Sequence, residues 1–189
     1  MTGQGKSAID TLLAESFKEL ALKHPIEKIT IKEITDKAGV IRPTFYNHFQ
    51  DKYELLVWIY FNELFAPNME GISLENWDEK LGAILTQMQE EKKFYINTIK
   101  HAEDYIIQYM LEVAEQTFEE AIDKLDEKSH LKNEERGIFA RFFAYGICGI
   151  IVEWAKGGMK MAPEKLADYM REMLEKCKQA VYISDHDRQ

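Results

Sequence analysis

The chain has 189 residues, of which 46% are hydrophobic and 30% charged, with only four prolines. This composition is that of a globular protein with a substantial core, and it excludes a disordered or low-complexity chain. Residues 1–56 carry eight basic and eight acidic side chains, so the whole formal charge of −9 lies in residues 57–189. Long-range attraction for nucleic acid is therefore weak, and DNA binding would depend on a local arrangement of positive groups.

Cysteine, histidine and glycine patterns argue against an enzyme. Cys148 and Cys177 fall in apparent helices without metal-type spacing, the five histidines are dispersed, and zinc-protease, nucleophile-elbow and phosphate-loop motifs are missing from the sequence. We therefore expect no catalysis, no cofactor and no metal. We also expect the protein to lie in the reducing cytoplasm. The most apolar stretch, residues 137–155, contains Arg141, Glu153 and three glycines, which argues against a membrane span.

The first elements in chain order predict two helices before a glycine turn. An apolar face over residues 7–24 predicts the first helix, which ends before Pro25. Thr30, followed three residues later by Glu33, is a capping-box pattern that begins a second, short helix. Gly39 then supplies a residue that readily adopts a positive φ.

A third helix follows the glycine at once, because Pro43 is accommodated only in the first turn of a helix. A short helix, a glycine-containing turn and a second helix make a helix-turn-helix, whose second helix enters the major groove of DNA. Ile41 stands where a capping Ser or Thr would hold the first turn, so we expect this cap to be missing. Ile41 either packs or touches a sugar or thymine methyl.

Residues 7–56 resemble the TetR family of one-component transcriptional regulators. The positions that carry the resemblance are Ala38-Gly39-Val40, Thr44-Phe45-Tyr46, Phe49 and Lys52. A narrower resemblance to regulators of dihydroxyacetone kinase operons rests on two runs, FYNHFQDKYELLVWIY and ICGIIVEWAKGGMKMAPEKL. The family resemblance implies operator binding by the N-terminal part and ligand sensing by a helical body.

Candidate DNA contacts follow from side-chain chemistry. Arg42, Thr44 and Asn47 suit base edges, because Arg reads guanine, Asn reads adenine and Thr can touch a thymine methyl. Tyr46, His48 and Lys52 suit phosphates, and the resemblance implies the same roles. The hydroxyl of Thr30 is a further phosphate candidate, and the predicted DNA-binding set is Thr30, Arg42, Pro43, Thr44, Tyr46, Asn47, His48 and Lys52.

The rest of the chain predicts a helical body. Asp51 caps a fourth helix that leads towards Pro67, and residues 66–76 form a candidate loop. Further helices are predicted over residues 77–91, 93–101, 102–125, 132–156 and 163–182. We expect residues 1–56 to form a DNA-binding domain and residues 57–189 a ligand-sensing and dimerisation domain.

Aromatic and methionine side chains at helical spacing make the body a candidate for a ligand cavity. The same stripe is equally the pattern of an ordinary packed core. The residues that we predict for ligand binding are Phe61, Phe65, Trp77, Met88, Phe94, Tyr95, His101, Tyr105 and Tyr109. Their identities do not name the ligand.

The helix over residues 132–156 is apolar nearly all round, with small residues that allow another helix to approach closely. With the last helix it could form a two-fold four-helix interface, as in the resembled family; the alternative is the core of a monomer. The predicted interface consists of Phe139, Phe143, Ile147, Gly149, Ile150, Trp154, Leu166, Met170 and Met173.

The sequence thus predicts an all-α protein, with an N-terminal three-helix domain that contains a helix-turn-helix and a C-terminal helical domain for ligand binding and dimerisation. We expect a homodimer that binds double-stranded palindromic operator DNA, represses transcription, responds to a small-molecule effector, and makes no membrane contact. The alternative is a partner-dependent regulator or co-activator, which keeps the helix-turn-helix domain (the head) but acts through another subunit.

Overall fold

Every regular element is helical in the part of the chain that this computed structural model describes, residues 7–73, 75–125 and 133–186. The all-α prediction is confirmed. The helices are α1 (Ala8–Ala21), α2 (Ile31–Ala38), α3 (Arg42–Tyr46), α4 (Lys52–Ile59), α5 (Ala66–Met69), α6 (Trp77–Glu90), α7 (Lys92–His101), α8 (Glu103–Leu125), α9 (Asn133–Lys156) and α10 (Pro163–His186). A 3₁₀ turn covers Ile26–Lys28, and a π-helical turn covers Tyr60–Phe65.

Local capping determines how the N-terminal helices begin and end. Ser7 begins α1 and Thr30 begins α2, each through a reciprocal capping box with the residue three positions later. Gly39 ends α2 with φ +70°, which places it in the left-handed region that favours glycine. The predicted capping box and glycine turn are confirmed.

Helix α3 is short and has no side-chain cap at its N-terminus. Ile41 is the N-cap residue and Pro43 lies in the first turn, both as predicted. Ile41 is 68% exposed, so it does not pack into the core. Asn47 and His48 lie in a turn after the helix rather than within it.

Helix α4 continues without a break into the body. The carboxylate of Asp51 accepts hydrogen bonds from the backbone N–H groups of Tyr53 and Glu54, at 2.7 and 2.9 Å, which confirms the predicted cap. The helix then passes through the π-helical turn Tyr60–Phe65 into α5. The predicted domain boundary at residue 56 therefore falls inside a helix that joins the two parts of the chain.

The body consists of α5 to α10, in which α8 packs along α9 and α10 packs along α6. The predicted loop over residues 66–76 begins with α5, and its turn contains Gly71 at φ +69°. Helix α1 ends at Ala21, three residues before the predicted end, because the chain turns ahead of Pro25. Residue 132, the predicted start of α9, lies outside the described residues, and α10 extends to His186.

Helix α9 is long and apolar enough to cross a membrane, judged by length and composition alone. However, 39% of its most apolar window is buried inside the protomer. The core helix of a soluble protein passes the same test. Its apolar character is therefore accounted for in part by packing against α8.

Candidate DNA-binding surface and ligand cavity

Helix α3 exposes the polar side chains that the sequence predicts for base contact. Arg42 and Asn47 are exposed and Thr44 is half-buried. Tyr46 is 50% exposed, and its hydroxyl lies 3.5 Å from the guanidinium of Arg42, so these two side chains form one polar surface. The exposed ring of Pro43 adjoins them.

The opposite face of α3 anchors it in the core. Phe45 is fully buried and Phe49 nearly so, with ring centroids 5.9 Å apart. Phe49 also meets Trp58 of α4 edge to face at 6.0 Å. The prediction that both phenylalanines belong to the core is confirmed.

His48 is held by a partner that the sequence analysis missed. Its Nδ1 lies 2.7 Å from Oδ1 of Asp10, whose side chain is 8% exposed and whose other oxygen accepts the backbone N–H of Ser7 at 3.1 Å. This contact leaves Nε2 of His48 as the ring nitrogen available to DNA. The spacing of Asp10 from Ser7 could have indicated a capping box, but nothing in the sequence indicates its second partner, which is 38 residues away.

Lys52 does not have the free ammonium group that a phosphate contact needs. Its Nζ donates to the carbonyl oxygens of Ile26, Glu27 and Ile29, at 2.9, 2.9 and 2.8 Å. An ammonium group has three donors, so all are used. Burial lowers the pKa of Lys52, and the carboxylates of nearby acidic residues partly offset this effect. Lys52 therefore has structural contacts in the protein, and a phosphate contact by its ammonium group stays a prediction that would have to replace one of these bonds.

Thr30 is exposed and combines its cap with a second bond. Its hydroxyl accepts the backbone N–H of Glu33 at 3.2 Å and donates to the Glu33 carboxylate at 2.7 Å. That carboxylate also accepts the Thr30 backbone N–H, at 2.8 Å. A phosphate contact by the Thr30 hydroxyl stays a prediction, and it would have to replace the bond to Glu33.

The body contains an apolar cavity of about 120 Å³ between the π-helical turn, α6, α8, α9 and α10. Of the predicted ligand residues, Phe65, Trp77 and Met88 line it. About half of its wall comes from α8 and α9, outside the predicted ligand set, and includes Met110, Ala114, Thr117, Phe118, Cys148 and Ile151. Their helical spacing was visible in the sequence, but the same spacing is found in any core helix.

Three predicted ligand residues belong to the packed core behind the cavity. Phe94 and Tyr95 are buried, with the ammonium of Lys18 5.7 Å from the Phe94 ring centroid. Tyr109 meets the cavity residue Phe65 edge to face at 5.7 Å but does not itself line the cavity. Burial raises the pKa of both tyrosines strongly, so their hydroxyls stay protonated.

The other three predicted ligand residues lie outside the cavity. Phe61 is 40% exposed on the solvent side of the π-helical turn. Nδ1 of His101 lies 3.1 Å from the carboxylate of Glu27, and the ring of Tyr105 stacks on Tyr53 at 4.1 Å. The ligand-binding roles of Phe61, His101 and Tyr105 stay predictions that this cavity does not support. The sequence does not show which elements face the DNA-binding part.

These contacts join the body to the DNA-binding part. Besides His101 and Tyr105, the side-chain amide of Asn97 in α7 donates to the carbonyl of His24 at 2.7 Å. The ammonium of Lys18 in α1 lies 2.8 Å from the Glu63 carboxylate in the π-helical turn. Helices α4 and α7 therefore connect the surroundings of the cavity to α1 and the 3₁₀ turn.

The π-helical turn forms a wall of the cavity at the point where α4 reaches the body. Tyr60, Leu64 and Phe65 line the cavity, and the Tyr60 hydroxyl is 2.6 Å from the Thr98 hydroxyl. The backbone N–H of Ala66 donates to the carbonyl of Phe61, the five-residue spacing of a π-helix. Insertions of this kind are frequent at functional sites.

An apolar stripe on α9 and α10 faces solvent in the protomer. Of the predicted interface residues, Phe139, Gly149, Ile150 and Met173 belong to it. It also contains four residues outside the predicted set, Ile138, Phe142, Tyr145 and Tyr169. Exposed patches of this type are typical of protein–protein contacts.

The remaining predicted interface residues are used inside the protomer. Trp154 is buried and its indole N–H donates to the carbonyl of Met161 at 2.9 Å; Leu166 and Met170 are buried as well. Ile147 lines the cavity, and the Phe143 ring packs on Phe118 of α8 at 5.6 Å. An interface role of these five residues stays a prediction, because an all-round apolar helix does not reveal which face is covered by its own chain.

Two family models match this chain. One, described as bacterial regulatory proteins, tetR family, matches residues 17–58, and the other, a TetR-type transcriptional regulator C-terminal region, matches residues 75–176. The second match alone covers more than half of the chain. The chain belongs to the TetR family. The helix-turn-helix head and the helical body are therefore those of a TetR-family transcriptional regulator.

Individual relatives agree with this family assignment. The HTH-type dhaKLM operon transcriptional activator DhaS of Lactococcus lactis subsp. lactis (strain IL1403) is 26% identical over 148 residues, which are 75% of this chain and 76% of the relative. The solved structure of the dihydroxyacetone kinase operon activator DhaS has a TM-score of 0.67 at 27% identity, covering 89% of this chain and 95% of that one. The narrower resemblance predicted from sequence is confirmed.

A third relative shares the fold alone. The Thermus thermophilus repressor FadR, solved in complex with lauroyl-CoA, has a TM-score of 0.64 at 17% identity, and the match covers 87% of this chain and 92% of that one. One fold therefore accommodates regulators of different function. The chemical class of ligand that this chain binds therefore depends on the residues of its own cavity.

Proposed function

We propose that this TetR-family regulator is a homodimer that binds palindromic operator DNA and responds to a small molecule held in the cavity of its body. The observation that carries the proposal is the continuous helix from Lys52 to Met69. Its first turn is hydrogen-bonded to the DNA-binding part, and its π-helical turn lines the cavity. A ligand that favours one position of this helix shifts the operator-binding equilibrium by its differential affinity, and by no more.

The DNA-binding surface is the exposed side of α3 and the turn after it. Arg42, Thr44 and Asn47 read base edges, while the Tyr46 hydroxyl donates to a phosphate and His48 does so through Nε2–H when its ring carries both protons. Lys52 stabilises the 3₁₀ turn from behind. Two such surfaces on a two-fold axis match half-sites about 34 Å apart, or a multiple of that distance.

Repression is the proposed output, with the effector releasing the operator in the cytoplasm. Repression needs only occupancy of the operator, whereas activation requires a further contact with another protein. The L. lactis relative is named an activator. A promoter–reporter assay with and without the gene decides the sign, because higher expression in the presence of the gene would contradict repression.

A partner-dependent regulator is the second candidate, and the charge of the head favours it. Residues 1–56 have equal numbers of acidic and basic residues, and the ammonium of Lys52 is already used inside the protein. The head therefore has little positive charge to spare for phosphates. A second subunit could supply the missing affinity.

Selection from a library of random DNA duplexes, sequenced at two salt concentrations, tests the proposal. A dimeric specific binder enriches a palindrome, and its affinity falls as salt rises. The same selection with Arg42→Ala loses preference at one base position if Arg42 reads a base. Without enrichment at either salt concentration, the dimeric operator-binding proposal fails in favour of the partner-dependent candidate.

A further inference from the structure

We propose that the cavity binds an uncharged apolar molecule of about the size of benzene or a six-carbon chain, and that it rejects small polyols. The inference deepens the proposed function, since it names the chemical class of the effector. The cavity volume of about 120 Å³ is close to that of apolar protein cavities, about 150 Å³, that stay dry and bind benzene.

The inner wall of the cavity offers almost only carbon and sulfur atoms. Its closely packed part includes Leu64, Phe65, Leu81, Ile84, Met88 and Met110, all of them buried. Transfer of an apolar molecule from water to such a wall is favourable without any directed hydrogen bond. The chemistry of the wall therefore favours hydrocarbon.

The polar groups of the buried and half-buried wall are already engaged or uncharged. The Tyr60 hydroxyl pairs with Thr98 at 2.6 Å, and the Thr117 hydroxyl donates to the Val113 carbonyl at 2.8 Å. Burial raises the pKa of the Cys148 thiol to about 12, so it carries no charge at neutral pH. A charged ligand would therefore meet no side chain of opposite charge among these groups.

A small polyol would lose its hydrogen bonds to water on entering this cavity. Burial of a hydroxyl group without a hydrogen-bond partner costs free energy. A three-carbon polyol has little apolar surface whose burial would compensate for that cost. Such a compound matches the wall poorly even though its size would fit. The size of the cavity therefore does not by itself select the ligand. Polyols are disfavoured because the Tyr60 and Thr117 hydroxyls of the wall are already hydrogen-bonded within the protein.

The mouth of the cavity can be located by exposure. The wall residues that reach solvent include Ile72, Ser73 and Trp77 near the turn before α6, and Glu120 on α8. One polar end group of a ligand can stay hydrated there. Its apolar end then contacts the π-helical turn, where Tyr60 and Leu64 are fully buried.

Thermal unfolding of the full chain with four probes tests the inference. Benzene and hexan-1-ol are compared with glycerol and dihydroxyacetone, all at the same millimolar concentration. A probe about tenfold above its Kd raises the Tm by about 3–6 °C for a chain of this size. We expect this rise with benzene and hexan-1-ol only. An equal rise with either polyol, or no rise with the apolar probes, would overturn the inference.

Variants that fill the cavity show where the probe binds. Ala114→Phe places a ring in the cavity and should abolish the Tm rise, whereas Gln116→Phe adds the same ring to the exposed side of α8 and should keep it. Ala121→Phe, nearer the mouth, is a second filling variant if Ala114→Phe does not fold. Saturation-transfer NMR of hexan-1-ol provides a direct reading. Loss of binding in Gln116→Phe, or its retention in a folded filling variant, contradicts the assignment.

The inference and the proposed function can fail separately. Probe binding is measured without DNA, and operator affinity is then measured with and without hexan-1-ol. Binding of the probe without a change in operator affinity would keep the cavity assignment and reject ligand control of DNA binding. A protein that binds its operator but none of the apolar probes would reject the cavity assignment and keep the proposed operator binding.

Discussion

At the scale of single residues, Asp10 does two things at once. It holds the start of α1 through Ser7, and it fixes the ring of His48 through Nδ1. A histidine oriented in this way presents Nε2 in one direction without losing rotamer freedom when DNA binds. If His48 contacts DNA as proposed, Asp10 is its positioning residue.

We expect Asp10→Asn to weaken DNA binding of all sequences alike. A lost hydrogen bond of about 1 kcal/mol corresponds to about a fivefold higher Kd. The exposed Glu15→Gln on the same helix removes the same charge and serves as the control. Removal of a negative charge by itself should tighten binding, so fluorescence anisotropy with cognate and scrambled duplexes separates the two effects. Equal Kd values for both variants would contradict the positioning role.

Lys52 illustrates how a basic residue near DNA can serve the protein instead. Its three hydrogen bonds hold the carbonyl groups at the 3₁₀ turn that leads into α2. The turn also carries Glu27, which contacts His101 of the body. Loss of the Lys52 side chain therefore affects the fold before it affects the DNA surface.

We expect Lys52→Met to lower stability by about 2 kcal/mol, because hydrogen bonds from a charged donor are lost and buried carbonyls are left unpaired. The Tm should fall by about 4–8 °C. Lys28→Met removes a positive charge from an exposed position of the same turn and should leave the Tm unchanged. If Lys52→Met instead reduced only the salt dependence of DNA binding, with no change in Tm, the structural role would be refuted.

At the scale of elements, the π-helical turn is where the DNA-binding part and the cavity meet. A π-helical turn contains an extra residue relative to an α-helix, so its removal restores regular hydrogen bonding. Phe61 is exposed there and its side chain makes no part of the cavity wall. The turn can therefore be shortened without removing a ligand contact.

We expect deletion of Phe61 to keep DNA binding but to remove the effect of hexan-1-ol on operator affinity. Coupling of about tenfold is ordinary for ligand-controlled proteins, and it depends here on the wall that the turn presents to the ligand. Phe61→Ala removes the same side chain without changing the backbone and should keep the response. Circular dichroism confirms the helix content of both variants. An unchanged response in the deletion variant would show that the π-helical turn has no part in coupling.

The elements predicted well from sequence are those determined by near neighbours. The caps at Thr30 and Asp51 and the turn at Gly39 each depend on residues at most three positions apart, and all three are confirmed. The sequence could not show that His101 lies apart from the cavity, because its partner Glu27 is 74 residues away. It could not show that Phe94 lies outside the cavity wall for a different reason, since an apolar helical face has the same spacing whether it borders a cavity or fills a core.

At the scale of the whole molecule, charge and hydrophobicity are distributed unevenly. The acidic excess lies in residues 57–189, away from the near-neutral DNA-binding part. The stripe formed by Ile138, Phe142, Tyr145 and Ile150 with Met173 faces solvent in the protomer. A homodimer that covers this stripe would bury it and would relate the two heads by the two-fold axis.

We expect Gly149→Glu to make the protein a monomer if the proposed homodimer forms through this stripe. Gly149 lies on the stripe, and a Cβ atom there would meet nothing within 4 Å inside the protomer, so the substitution leaves the protomer fold intact. A carboxylate buried without a partner between two apolar helices is strongly unfavourable. Ala83→Glu adds the same charge to an exposed position on α6 and should remain dimeric.

Light scattering gives the mass of each variant, and anisotropy gives its operator affinity. A monomer has only one head for two half-sites, so its operator affinity should fall by about 10²-fold, while Ala83→Glu loses little. Both quantities must change together, since operator affinity depends on dimerisation in this arrangement. A dimer mass for Gly149→Glu would exclude the stripe on α9 and α10 as the interface. A monomer with full operator affinity would mean that a single head is sufficient for DNA recognition.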